Sequence, residues 1–236
     1  MANNIVINFS TEDGIRAVKS SEQSVLQLGG ADTIARMTIL GRQDVNAAIV
    51  VTADAGNTGD GTVAAVVVGG PVIPKAGTYV VTCVTAVTNG GVFKIEDPAG
   101  NLVLGNIVLS PAGAGVAAIV TADGIQFTIT DGTTDFAADD FFSAVVVANG
   151  DYVYYSAAGV GGAQIPRAVL LNEIVATGSG DFPISVLTEG RVRTDALIID
   201  GSAAGVGITA AIKDSLRTFG IIVEDADECA SLDNQT

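Results

Sequence analysis

The chain has 236 residues, 48% hydrophobic but only 5% aromatic, with no Trp and no His; 26 acidic against 11 basic side chains give a net charge of −15. Phosphate backbones and anionic membrane surfaces repel such a chain, so neither nucleic acid nor a membrane is an expected partner. The missing imidazole removes the side chain most used for acid–base work and transition-metal binding, so an enzyme is not expected, nor a catalytic residue, cofactor or metal site.

The length allows one large or two small domains. The apolar surplus lies in Val, Ala and Ile, and 29 Gly punctuate short β-branched runs, which predicts many short strands joined by tight turns. Met1 to Phe9 carries no basic cluster and no long apolar run, so neither a secretory signal nor a transit peptide is expected. Gly, Asp or Thr interrupts every Val/Ala run before the roughly 20 residues needed to cross a bilayer.

In chain order, Asn4-Ile5-Val6-Ile7-Asn8-Phe9 comes first, with Ile5, Ile7 and Phe9 on one face at period two. A polar stretch from Ser10 to Gln27 then separates it from the rest, which fits either an extended N-terminal arm or an ordinary edge strand. Ala31 to Arg42 reads as one or two short strands. Between about Asp44 and Ala148 the texture becomes a train of strands. Gly77 to Thr88 alternates with Tyr79, Val81, Cys83 and Val87 on one face, and Asn89-Gly90-Gly91 supplies a turn. Phe93 and Ile95 point inward while Lys94 and Glu96 face water. Asp97-Pro-Ala-Gly-Asn101 turns the chain into Leu102 to Leu109, and strands follow at Val116 to Thr121, Ile125 to Thr130 and Phe141 to Val147. This spacing predicts an antiparallel sandwich or small barrel.

After Gly150 come Tyr152 to Tyr155, a Gly-rich loop at Gly159 to Gly162, and strands at Arg167 to Ile174 and Gly190 to Arg193. A helix is predicted where Ile208, Ala211, Ile212, Leu216 and Phe219 recur at helical spacing, with Gly220 as its stop. Ile221 to Asp225 closes as a strand before an acidic tail.

Several constellations have plain readings. Asp131, Asp135, Asp139 and Asp140 suggest calcium, but without an EF-hand pattern they read as turn caps in a solvated loop. Paired carboxylates of a glycosidase would want aromatic neighbours, and Trp is absent. Gly159-Val-Gly-Gly162 has no following Lys-Ser/Thr and is a loop, not a phosphate cradle. Cys83 reads as a small buried hydrophobe, and its distance in sequence from Cys229 argues against a disulfide. Asn8-Phe-Ser10 and Asn234-Gln-Thr236 match a glycosylation pattern that has no meaning without secretion.

The runs Val169-Leu-Leu-Asn-Glu-Ile-Val-Ala-Thr-Gly178, Val192 with its neighbours, and Ile212-Lys-Asp-Ser-Leu-Arg-Thr-Phe-Gly-Ile-Ile-Val223 resemble the lambda-type head decoration proteins of tailed bacteriophages. Ala76 to Cys83, Gly91 to Gly100 and Phe127 to Phe136 resemble a β-domain often inserted into phage decoration proteins. The resemblance implies a mainly β protein: an α+β decoration core with one helix, residues 31–43 and 149–236, interrupted by an antiparallel β-sandwich-like domain, residues 44–148. Residues 1–30 would be an N-terminal arm whose Asn4 to Phe9 binds the capsid. The implied partners are the major capsid protein and two further copies in a homotrimer at three-fold or quasi-three-fold sites. The implied location is the outer surface of the virion capsid, after synthesis in the bacterial host cytoplasm. Two rivals stand beside it. One is a carbohydrate-binding β-sandwich, a surface or tail-associated module using Phe136, Phe141 and Phe142; the other is a hydrolase using the Asp cluster.

Overall fold

The computed structural model describes residues 14–110, 115 and 117–225. Its strands are β1 (Ile15–Leu28), β2 (Asp32–Ile34), β3 (Ile39–Arg42), β4 (Val45–Ala53), β5 (Thr62–Val67), β6 (Gly77–Val87), β7 (Gly90–Glu96) and β8 (Leu102–Leu109). There follow β9 (Ala117–Ala122), β10 (Ile125–Thr130), β11 (Phe141–Ala148), β12 (Tyr152–Tyr154), β13 (Pro166–Leu170), β14 (Ile174–Ala176) and β15 (Gly180–Arg193), then helix α1 (Ala210–Thr218) and β16 (Ile221–Glu224). The fold is mainly β, with α1 the one α-helix among the described residues.

The chain divides into two compact units. The first takes Met1–Arg42, Asp151–Ala157 and Ala163–Thr236; the second takes Gln43–Gly150 and Ala158–Gly162. The short segment 158–162 goes with the second unit because the Gly161 carbonyl accepts from the amides of Asp44 (2.7 Å) and Val45 (3.2 Å). Gly161 has φ +67°, and a Cβ there would lie 2.4 Å from the Val45 carbonyl oxygen, so glycine is required.

In the first unit the strands run β1-β12-β3-β13-β15-β16, and β1 also pairs antiparallel with β15, from Ile15↔Val192 to Leu28↔Gly180. The first five strands therefore form a closed ring, with β16 joined parallel to β15 after a crossover through α1. Neighbouring residues serve opposite faces, as a period of two requires. Ile39, Val169 and Leu187 join one core with Ile212 and Leu216 of the helix, while Leu40, Ala168, Leu170 and Val186 join the other. Burial on both faces explains the unbroken apolar run from Ala168 to Leu171.

β1 departs from the sequence reading, which set the polar stretch up to Gln27 apart as part of an arm. Its polarity is taken up by cross-strand partners. Lys19 Nζ lies 2.6 Å from Glu189, Arg16 and Arg191 both meet Glu224 at 3.5 and 3.1 Å, and Gln23 Nε2 donates to Ser185 at 2.6 Å. The β15 strand likewise starts ten residues before the expected Gly190.

The second unit is an eight-stranded sheet, antiparallel throughout, ordered β8-β7-β6-β11-β4-β5-β10-β9. β4 meets β5 at one residue pair, Ala48↔Val66, and the edge strands β8 and β9 also approach each other. The enclosed core holds Tyr79, Val81, Cys83, Phe93, Ile95, Ile125, Phe127 and Ile129, all fully buried. Phe136 stands edge-on to Phe93 and to Phe142, with ring centroids 5.0 and 6.1 Å apart. Gly61 leaves room for that ring, since a Cβ would come within 2.1 Å of Phe136 Cζ. Cys83 is a buried free thiol, as a small hydrophobe would be. Val87 does not follow Tyr79, Val81 and Cys83 inward. The pairing of β6 with β7 shifts register between Cys83 and Thr85, which turns the strand end over and leaves Val87 exposed.

Candidate functional site

The capsid-binding residues predicted from sequence, Asn4, Ile5, Val6, Ile7, Asn8 and Phe9, lie outside the described residues. Gly14, at φ +72°, lies against Ala196 and Met37, and its carbonyl accepts from Arg193 N at 2.8 Å. β1 follows at once, and its second edge is paired to β12 only at Leu26↔Tyr152. From Arg16 to Val25 the outer edge thus has no strand partner among the described residues.

A second surface feature of the first unit is a cleft of about 460 Å³ between β12, the loop after Ile198 and the start of α1. Tyr154, Tyr155, Asp200, Thr209 and Ile212 are among its walls. It shares Tyr154 and Asp200 with a depression of about 280 Å³ that reaches Asp32, and Tyr155, Thr209 and Ile212 with one of about 210 Å³ along the helix. The Tyr154 hydroxyl donates to Asp32 Oδ2. Burial of its ring and that hydrogen bond, with the charges of Asp32 and Asp200 adding to them, push the Tyr154 phenol well above its ordinary range. Thr209 caps α1, its hydroxyl accepting from Ile212 N at 3.4 Å.

The acidic residues of the second unit separate into different roles. Asp140, 4% exposed, accepts from the backbone N–H groups of Thr58 (2.8 Å), Gly59 (2.9 Å) and Ala137 (2.9 Å). Burial pushes its pKa up, and the three N–H groups together outweigh this and hold it below the usual carboxylate value. Asp135 accepts from Asn89 N at 2.8 Å, and Asp60 ties down Thr133 and Thr134. Asp97, which sequence reading left as a turn residue, is the anchor of its loop. It takes Lys75 Nζ at 2.7 Å and the amides of Ala99 and Asn101, and the lysine first, then Asn101, hold its carboxyl far below the ordinary range. Turn capping therefore accounts for Asp135 and Asp140, while both side-chain oxygens of buried Asp131 lack a hydrogen-bond partner among the described residues. No group of three or more Cys, Asp or Glu among the described residues is arranged to hold a metal ion.

Of the aromatics open to a carbohydrate reading, Phe136 and Phe142 are 1% and 2% exposed and belong to the core; Phe141 is half-buried. Of the second unit's eight strands only β7 carries charges, Lys94 and Glu96, and these pair with each other at 2.9 Å. No helix among the described residues is long and apolar enough to cross a membrane.

No protein-family model matches the chain. No curated protein matches it either. Among solved structures, Xanthomonas campestris FlgL is similar to part of it, at 20% identity and a TM-score of 0.32, over 49% of this chain and 33% of FlgL. The chain thus spans about a third of FlgL's length, and so slight a likeness carries no argument about fold or function.

Proposed function

We propose that this chain is a structural head decoration protein of a tailed phage, binding the outer surface of an assembled capsid as a homotrimer. The observation that carries the reading is where the two family resemblances fall. The residues resembling the lambda-type body, Val169 to Gly178 and Ile212 to Val223, lie in β13, β14, α1 and β16 of the first unit. Those resembling the inserted β-domain, Ala76 to Cys83, Gly91 to Gly100 and Phe127 to Phe136, lie in the second, between two adjacent strands of the first, β3 and β12. Two independent resemblances that segregate onto two compact units support a decoration body with a domain spliced into it.

The mechanism is mass action. A protein that binds only the assembled shell stabilises that state by RT ln(1 + [L]/Kd) at every site. Attachment by strand addition suits the region around Gly14, where the apolar set Ile5, Ile7 and Phe9 precedes the open edge of β1.

Co-sedimentation with the cognate expanded shell tests the reading, using the full chain and one lacking Ala2 to Ser10. The full chain is expected to pellet with shells and the shortened chain to do so far more weakly, with trimer mass by native mass spectrometry. A full chain that stays in the supernatant at saturating concentration would sink the proposal.

A further inference from the structure

From the cleft beside Tyr154 we infer a binding site for the guanidinium group of an arginine side chain. The inference stands whatever surface the protein decorates.

The cleft of about 460 Å³ falls in the size range of small-ligand sites and exceeds what one planar guanidinium with its stem requires. Its walls combine two tyrosine rings with two carboxylates, Asp200 directly and Asp32 through the adjoining depression that both Tyr154 and Asp200 line. No Lys or Arg lines the cleft or either adjoining depression. Elsewhere in the first unit Arg16, Lys19, Arg191, Arg193, Lys213 and Arg217 are engaged with Glu224, Glu189, Asp195, Asp225 and Asp214. Among the described residues the Asp32 carboxylate accepts from the Tyr154 hydroxyl and the Thr33 amide, and the Asp200 carboxylate has no hydrogen-bond or ion-pair partner. One carboxylate, Asp200, therefore lines the aromatic cleft and a second, Asp32, the depression that opens from it, with no basic side chain among the residues lining either.

The N-terminus of α1 works in the opposite sense, since its partial charge is about half a unit positive. The two full carboxylate charges outweigh it, and Thr209 already occupies the Ile212 amide. A guanidinium fits better than an ammonium, because it can stack flat on a tyrosine face while its N–H fork reaches a carboxylate. The same unit already holds a guanidinium over an aromatic ring, with Arg167 Cζ 5.1 Å from the Phe219 ring centroid.

The test is an NMR titration of the full chain with Nα-acetyl-L-argininamide, and with the citrulline analogue, which has the same shape and no charge. The arginine probe is expected to give saturable shifts at Tyr154, Tyr155, Asp200 and Ile212. Citrulline is expected to bind about tenfold more weakly. Asp200→Asn, at an exposed position whose loss leaves the fold intact, should weaken the arginine probe about threefold. Binding of both probes with equal strength, shifts scattered away from the cleft, or Asp200→Asn with unchanged affinity would each overturn the inference.

Discussion

The two units reach a β fold by different routes. In the second, sequence neighbours pair across short turns, β6 with β7, β7 with β8 and β9 with β10, while β4 with β11, β6 with β11 and β5 with β10 close the longer spans, and the alternating inward residues make one core. In the first, the longest ladder joins β1 to β15, whose paired residues lie some 150 positions or more apart, and a helix covers one of two cores. Local pairing concentrates stability in one aromatic-centred core with buried carboxylate caps. Distant pairing spreads it over two smaller cores and a polar ladder.

The sharpest way to break this comparison is Phe127→Ala. Phe127 is fully buried beside Tyr79, so truncation is expected to cost about 3–5 kcal/mol. Hydrogen exchange read by mass spectrometry should show protection lost in β10, β5 and β9 and kept in β1 and β15. Equal loss in both units would mean that they share one core energetically.

Asp140→Ala comes next. It leaves three backbone donors, on Thr58, Gly59 and Ala137, without their acceptor, and is expected to cost about 2–3 kcal/mol in the second unit alone, checked by urea unfolding with the same exchange readout.

Acid sharpens the same contrast. Asp97 and Asp140 have folded pKa values held below their unfolded ones, so the stability they contribute is complete above roughly pH 4 and is lost as pH falls through the folded values. The second unit should therefore loosen on acidification, and Asp97→Asn should flatten that part of its stability profile. An acid profile that Asp97→Asn leaves unchanged would show that the Lys75 contact contributes nothing.

The smallest effect is expected from Thr209→Ala, which removes the cap of α1 at a cost of about 1 kcal/mol. Circular dichroism melting should record it, with faster exchange confined to α1 and β16.

The same contrast governs what could be read from sequence. Local pairings leave local marks: Asn89 and Asp123 adopt left-handed conformations at φ 57° and 49°, as Asn-Gly and Asp-Gly turns require, and the sequence predicts the turn at Asn89. The sequence likewise predicts the inward set Phe93 and Ile95 and the helix face of Ile212 and Leu216. β1 was missed as a long strand because its stabilising partners, Glu189, Ser185 and Glu224, are far along the chain and no local window contains them. Val87 was misplaced because a register shift obeys the ladder, not the period of two. The cleft beside Tyr154 had no signal of its own, since Asp32, Tyr154 and Asp200 meet only after the ring of strands closes.

The ends of the inserted unit are tied together: Asn149 N donates to the Asp44 carbonyl at 2.9 Å, and Ala148 stands opposite Val45. Joining β3 to β12 across an unstructured loop of about a hundred residues would cost about 4 kcal/mol in closure entropy. Once the inserted unit has folded, its ends are already held side by side, and the loop that β3 and β12 must close shrinks to a few residues. The inserted unit thus acts as a clip for β3 and β12, and the closure entropy of the hundred-residue loop is met within that unit by the ladder of β4 with β11.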